Sequence, residues 1–386
     1  MNRRETQKID QKTGRAINRQ MILNIIRRSD GLSRADIAAQ TGLSAAVVGF
    51  VIRELLDEGY LVEEKPRDSR SGRRPVPLRL NENGHLAIGL KISSRRLDCL
   101  LTDIAMGSLD RLSIDLPDGN PATVVAHARQ IVDEVVSRQK GPRRPILGVG
   151  LSLPARVDPD EGICIRSHRL GWRDVPIGPM MREALNLPVF IEDDTLAYGL
   201  AHALFGIGQN LGSFCALAVG EGIGCASIID GQVWRGSLGN AGKVGHVFHQ
   251  DGGPFCECGR RGCLQTFYAA TALEERWSKE GRKSSLCEAL QNADQEAQAL
   301  VAEAGAVIGR YLANWVTVVD PELIVLGGES TAFGEAFLVP MQAALDHFYY
   351  REQGPRIVPD DTSFYWTAGA AAVAIQHVFK DPYPTS

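Results

Sequence analysis

The chain changes character at Asn81-Glu82-Asn83-Gly84, from short helices with a basic hairpin to alternating strands and helices, and this change sets the architecture. Before it, apolar residues recur at helical spacing in three short runs. Ile17, Met21, Ile22, Ile25 and Ile26 mark one helix, which Ser29-Asp30-Gly31 stops. Ser33 and Asp36 have the spacing of a capping box and open a second helix carrying Ile37 and Ala38, ending at Thr41-Gly42. Leu43, Val48, Ile52 and Leu55 give the buried face of a third, closed by Gly59. Two strands, Tyr60 to Glu64 and Pro77 to Leu80, flank a basic tip from Lys65 to Pro75.

After Gly84, strands and helices alternate. Leu86 to Ile92, Leu97 to Thr102 and Leu109 to Leu116 predict a meander, Ala122 to Ser137 a helix, and Ile146 to Leu153 a buried strand. The order then recurs: Phe214 to Val219, Gly224 to Ile229 and Gln232 to Arg235 form a second meander, and Leu323 to Leu326 a buried strand ending in Gly327-Gly328. A meander plus helices used twice fits a duplicated α/β core with a cleft between lobes. The expected division is a polar arm at 1–14, a head at 15–81, a first lobe at 85–205 and a second lobe at 206–366. A C-terminal helix near 367–380 is expected to return to the first lobe.

Charge separates the same two parts. Residues 1–80 hold 16 Lys/Arg against 10 Asp/Glu, leaving 26 against 36 for the remainder. A basic head on an acidic body suits a polyanion. Three helices followed by a basic hairpin is the layout of a winged helix-turn-helix, whose third helix lies in the major groove. The outward residues are then Ser44, Ala45, Ala46, Val47, Gly49, Phe50 and Arg53, joined by Arg34 at the start of the second helix. This face has no Asn or Gln for adenine, so thymine methyls and the wing would carry recognition. Arg73 and Arg74 in the tip suit a narrow A·T-rich minor groove, and a symmetric dimer would read a palindromic operator. A helical dimerisation module with a charged loop is the alternative. The absence of a signal-type apolar core or membrane-length apolar run predicts a soluble, cytoplasmic protein.

Cys256, Cys258 and Cys263 crowd into one glycine-containing loop, with His246 ahead of them. One imidazole and three thiolates make a closed structural zinc set, one ion per chain; reduced buried cysteines are the alternative, and His249 is a possible substitute ligand. The segment from Gly245-His246 to Cys256-Glu257-Cys258-Gly259-Arg260-Arg261-Gly262-Cys263 resembles the zinc signature of the ROK family of sugar kinases and repressors. Leu153-Pro154-Ala155-Arg156-Val157-Asp158, Leu170-Gly171-Trp172, Val189 to Asp194 and Gly220-Glu221-Gly222-Ile223-Gly224 follow in the family's order. The resemblance implies an α/β fold with an N-terminal winged helix-turn-helix and a two-lobed sugar-kinase-like domain of the actin/ribonuclease H-like duplicated type. It also implies a sugar-responsive regulator of the repressor branch, the kinases lacking such a head.

By the same resemblance, Gly89-Leu90-Lys91-Ile92-Ser93-Ser94-Arg95 matches the kinases' first phosphate loop, with lysine for its aspartate and serines for its glycines. Glu221 stands where a threonine would donate to phosphate, and Gly327-Gly328 matches a later nucleotide-side turn. Asp194 matches the kinase general base. The implied sugar pocket comprises Asp193, Asp194, Lys243, His246 and Gln265, where the family usually has Asn, Asp, Glu, His and Glu. Lys243 either selects a changed ligand class or neutralises Asp193 beside an ordinary sugar. The expectation is a sensor without kinase activity; the alternatives are an active carbohydrate kinase with an added DNA-binding domain and a sensor of a partner protein.

Overall fold

The computed structural model of the chain describes residues 11–64, 76–279, 281–351 and 353–379. Among these residues, no helix is long and apolar enough to cross a membrane.

The head contains α1 (Gln11–Arg27), α2 (Arg34–Thr41) and α3 (Ala45–Asp57), followed by β1 (Leu61–Glu63) and β2 (Leu78–Leu80). Ser33 and Asp36 form the expected capping box, and Gly42 at φ +70° ends α2. Ile22, Leu23, Ile26, Ile37, Val48, Val51, Ile52 and Leu55 close a core that Leu61 and Leu78 complete. β1 and β2 pair antiparallel, and Leu32 bridges to Leu78, which ties the wing base to the start of α2. Three details depart from expectation. α1 begins at Gln11, so the last four residues of the expected arm are helical. Leu43 precedes α3 and is only half-buried, while Val51, one turn from Val48, takes a core place. Val47, expected to point outward, is half-buried against the head's core because it lies beside Val48 and Val51 on the helix. Residues 1–10 and the tip Lys65 to Pro75, with Arg73 and Arg74, lie outside the described residues.

The body is built twice on one plan. The first half contains β3 (Leu86–Ile92), β4 (Arg96–Asp103), β5 (Ser108–Asp115), α4 (Pro121–Ser137) and β6 (Ile146–Leu153). It continues with β7 (Arg156–Asp158), β8 (Ile163–Ser167), β9 (Trp172–Val175), α5 (Ile177–Leu185), β10 (Val189–Asp193) and α6 (Asp194–Phe205). The second half contains β11 (Phe214–Val219), β12 (Ile223–Ile229), β13 (Gln232–Trp234), α7 (Gln265–Tyr268), α8 (Ala270–Lys279), α9 (Leu286–Gln291) and α10 (Gln295–Val319). β14 (Leu323–Gly327), α11 (Glu335–Phe348), β15 (Arg356–Pro359) and α12 (Phe364–Phe379) complete it. Strand order is β5-β4-β3-β6-β10 in one sheet and β13-β12-β11-β14-β15 in the other. In each, an antiparallel meander is extended by two parallel strands. The duplication expected from pattern is thus a duplication of topology.

Each half ends in a helix that crosses to the other. α6 packs on β11 and β12, and α12 returns to β3 and β6. Both helices are rich in small residues because they are covered on every side. A Cβ added at Gly150 would fall 1.8 Å from the Ala370 carbonyl oxygen, and one at Gly369 would fall 2.7 Å from the Ala197 carbonyl carbon. Backbone therefore meets backbone along α12. Gly150→Val should destabilise the protein by about 1–3 kcal/mol or more through overpacking. Gly49→Ala in α3, whose added Cβ meets nothing within 4 Å, should stabilise it by about 0.5–1 kcal/mol. Urea denaturation followed by circular dichroism measures both, and a Gly150→Val protein as stable as its parent would contradict the direct contact.

Candidate functional site

A cleft of about 1370 Å³ lies between the lobes, and at its floor β10 turns into α6. Asp193 is buried at this turn. Its Oδ1 accepts the Thr195 and Leu196 N–H groups, each at 3.1 Å, which caps α6, and its Oδ2 accepts the Lys243 ammonium at 2.5 Å. Burial raises the Asp193 carboxyl to about 6 against the pull of Lys243. The same burial works against the Lys243 charge, but the facing carboxylate outweighs it and holds the ammonium above its ordinary value. Asp194 accepts the Thr195 N–H at 2.8 Å through Oδ1, and its Oδ2 has no protein partner among the described residues. Of the implied pocket, Asp193 and Lys243 therefore satisfy each other, and Asp194 keeps a free acceptor lining the cleft.

Lys243 and His246 are held on a tight turn, Val244–His246, that runs against β12. Side chains at Gly242 and Gly245 are excluded there, since their Cβ atoms would lie 2.2 Å and 2.3 Å from the carbonyl oxygens of Cys225 and Ile223. His246, Cys256, Cys258 and Cys263 converge so that their ligand atoms lie within 4.8 Å of one another. His246 Nδ1 is 3.4 Å from Cys256 Sγ, and Cys258 Sγ is 3.6 Å from Cys263 Sγ. These spacings are close to the edges of about 3.8 Å implied by tetrahedral thiolates at about 2.3 Å from a metal. Burial lowers the His246 pKa and favours the neutral imidazole that can ligate. Gly259 and Gly262, both at positive φ, turn the loop back on itself. His249 is turned toward Tyr311, Nδ1 to hydroxyl 3.2 Å, and stands outside the cluster. Gln265 lines the cleft, yet its amide nitrogen faces Cys256 Sγ at 3.6 Å and Glu257 Oε1 at 3.3 Å, which places a donor behind the sulfur.

Two arginines that sequence reasoning missed join the lobes through ion pairs. Arg169 Nη1 donates to Glu221 Oε2 at 2.9 Å, and its Nη2 lies 3.5 Å from Glu257 Oε1. Arg235 Nε donates to the buried Glu192 at 2.7 Å. Arg169 directly precedes Leu170-Gly171-Trp172, and that adjacency was the available signal. At the other end of the cleft, Lys91 Nζ sits 5.7 Å above the Trp366 ring, and Gly328 at φ +97° turns the chain into Glu329, whose side chain also lines the cleft.

In the head, Ser44 caps α3, and Ala45, Ala46, Phe50 and Arg53 are exposed on it, with Gly49 half-exposed. Arg34 is exposed and paired with Glu63 at 2.7 Å. The Arg15 guanidinium lies 4.9 Å over the Phe50 ring and its Nε donates to Glu54 at 3.1 Å, so α1 covers one flank of α3. The head is seated on the body through α1. Asn24 donates to the Phe379 carbonyl at 2.8 Å. Buried Arg27 donates to the Leu204 carbonyl and lies beside the paired Phe205 and Phe379 rings, at 5.6 and 5.4 Å from their centres. Burial, reinforced by Arg28, lowers the Arg27 pKa to about 9. In sequence, Arg27 was indistinguishable from a solvated last-turn cation.

The sequence profile of the ROK family matches residues 87–375, and that of winged helix-turn-helix DNA-binding domains matches residues 15–62. The xylose repressor of Caldicellulosiruptor bescii is 28% identical over 350 residues, 86% of this chain and 87% of its own. The DNA-binding transcriptional dual regulator NagC of Escherichia coli is 24% identical over 343 residues, 86% of this chain and 84% of its own. A ROK family transcriptional regulator described as a homologue of the E. coli MLC protein superposes with a TM-score of 0.83 at 22% identity, covering 95% of this chain and 97% of its own. A ROK family glucokinase from Streptomyces griseus, in complex with glucose and AMPPNP, superposes with a TM-score of 0.68 at 21% identity, covering 75% of this chain and 99% of its own. These structural likenesses concern the fold, and the family follows from the profile, which spans most of the chain. The chain belongs to the ROK family, with a winged helix-turn-helix ahead of the ROK domain.

Proposed function

We propose that this protein is a cytoplasmic, carbohydrate-responsive transcriptional repressor that binds operator DNA through its head and a small carbohydrate in the interlobe cleft. The observation that carries this reading is the seat of the head on α6: Asp193 and Asp194 begin that helix and the Leu204 carbonyl near its end holds Arg27. Cleft and DNA-binding unit thus share one rigid element. Relatives of similar length are named as repressors of xylose and N-acetylglucosamine functions. The ROK profile begins at residue 87, beyond the winged helix-turn-helix match at 15–62, so the head is an addition ahead of the ROK domain.

Phosphoryl transfer does not suit the cleft. Kinase chemistry needs backbone amides, hydroxyls and cations around the phosphates. Here Glu221 and Glu329 bring carboxylates to the glycine turns, and Ser93 and Ser94 stand where glycines would let phosphate approach the backbone. Asp194 serves as a hydrogen-bond acceptor for a ligand hydroxyl rather than as a base. The expected outcome is no sugar-dependent ATP hydrolysis; turnover that disappears in Asp194→Asn would establish the alternative, an active kinase bearing a DNA-binding head.

Zinc fits the donor set of His246, Cys256, Cys258 and Cys263, which satisfies a tetrahedral ion with protein ligands and leaves no position for substrate. When bound, the ion supplies cross-linking of the loop that carries Glu257 and backs Gln265. Gently purified protein should contain one zinc per chain. Cys258→Ser should lose the metal and melt at a lower temperature, as read by elemental analysis and thermal denaturation; unchanged zinc and melting would contradict the assignment.

For the DNA, the reading is a homodimer on a palindromic, A·T-rich operator, with α3 in the major groove and the wing arginines in the flanking minor groove. Replacing Arg73 and Arg74 together with alanine should weaken operator binding and reduce the slope of log K against log salt by about 2, roughly one per cation withdrawn from the phosphate-lined groove. Fluorescence anisotropy across a salt series checks this, and an unchanged slope removes the wing from the interface.

A further inference from the structure

One wall of the cleft carries an arginine ladder. Strands β7, β8 and β9 pair antiparallel with Arg156 opposite Arg166 and Arg166 opposite Arg173. Directly opposed residues project from the same face, and like charges so placed repel. None of the three side chains has a hydrogen-bond or ion-pair partner among the described residues, and the Nε of Arg156 is buried with nothing to donate to. Arg156 and Arg166 both line the cleft, and the Arg156 side chain lies against Gly239 in the loop leading to Lys243.

Three other cations of the cleft are already engaged by carboxylates. Lys243 is held by Asp193, Arg169 by Glu221 and Glu257, and Arg96 by Asp98 at 2.8 Å. Arg156 and Arg166 therefore put uncompensated positive charge on a partly desolvated wall, an arrangement that costs stability unless an anion completes it. Paired N–H donors of guanidinium match the oxygens of carboxylate and phosphate.

We infer that the ligand is an oxyanion-bearing carbohydrate, a sugar acid or a sugar phosphate, whose anionic group is received by Arg156 and Arg166. Arg173, at the exposed end of the ladder, extends the positive field toward solvent and draws the anion in. The free Oδ2 of Asp194 accepts from a ring hydroxyl across the cleft. This assignment rests on the reading of the cleft as a carbohydrate site and adds the class of carbohydrate.

The test is calorimetry and thermal shift on the full chain with glucose, xylose and N-acetylglucosamine, each beside anionic forms: glucuronate, gluconate, xylonate, glucose 6-phosphate and N-acetylglucosamine 6-phosphate. At least one anionic form should bind tenfold or more tightly than its neutral parent, and the carboxylate and phosphate arms show which oxyanion is meant. Arg156→Gln and Arg166→Gln should each weaken that form tenfold or more while leaving the neutral parent within about twofold. Without ligand, Arg166→Gln should melt at or above the parent temperature, since it removes a like-charged neighbour. A neutral sugar binding as tightly as its anionic forms, or anion preference surviving in both variants, overturns the inference and leaves the carbohydrate sensor standing. A ligand-free melting temperature lowered by several degrees in both variants assigns the arginines to holding the sheet, which also overturns it. Binding of no carbohydrate in the panel overturns the inference and the sensor reading together.

Discussion

Along α12, backbone lies on backbone: Ala370 over Gly150, Ala371 over Gly89, and Gly369 against Ala197 of α6. No side chain separates these elements, so their spacing is fixed by van der Waals contact of main-chain atoms and has little room to relax. The rest of the arrangement depends on this joint. Since α12 belongs in sequence to the second sheet and packs on the first, while α6 does the reverse, neither half has a complete core alone. The cleft is the space left where the two sheets meet these crossed helices. The head uses the same joint as its platform, and its apolar core is continuous with that around α6 and α12.

The cleft's electrostatics follow from where the joint places buried charge. Asp193 caps α6 at a turn that the joint buries, and Lys243 answers it from the other lobe. Glu192, the preceding residue, is answered by Arg235 in the same manner. Breaking either pair would leave a buried carboxylate without its cation, a far larger penalty than loss of a surface ion pair. Closure of the lobes is thereby tied to charge matching at β10, and Arg169 repeats the device at the rim by reaching both Glu221 and the cysteine loop.

Much of this was legible in sequence wherever a local rule applied. The Ser33 box, the two meanders, the Ile146 to Leu153 strand and the convergence of His246 with three cysteines each depend on spacing within a short window, and each stands within a residue or two of its expected place. What escaped depends on contacts between distant residues. β7, β8 and β9 are three to five residues long, with polar residues on both sides, and have no hydrophobic alternation to announce them. Arg27 is a surface residue by every local criterion and is buried only because α1 meets α6 and α12. The partners of Arg169 and Arg235 lie 52 and 43 residues away, beyond any motif. Val47 shows a smaller version of the same limit, since its half-burial depends on how the short helices of the head close around α3.

The surface of α3 offers alanines, a glycine and a phenylalanine ring, with one arginine among them. A helix of this kind placed in the major groove exchanges few hydrogen bonds with base edges and reads mainly the C5 methyl groups of thymine. Those methyls are chemical surface rather than Watson–Crick information. On the placement of α3 proposed above, an operator copied with uracil for every thymine would keep its pairing, its charge and its pattern of donors and acceptors, and would still bind less tightly for want of its methyl groups.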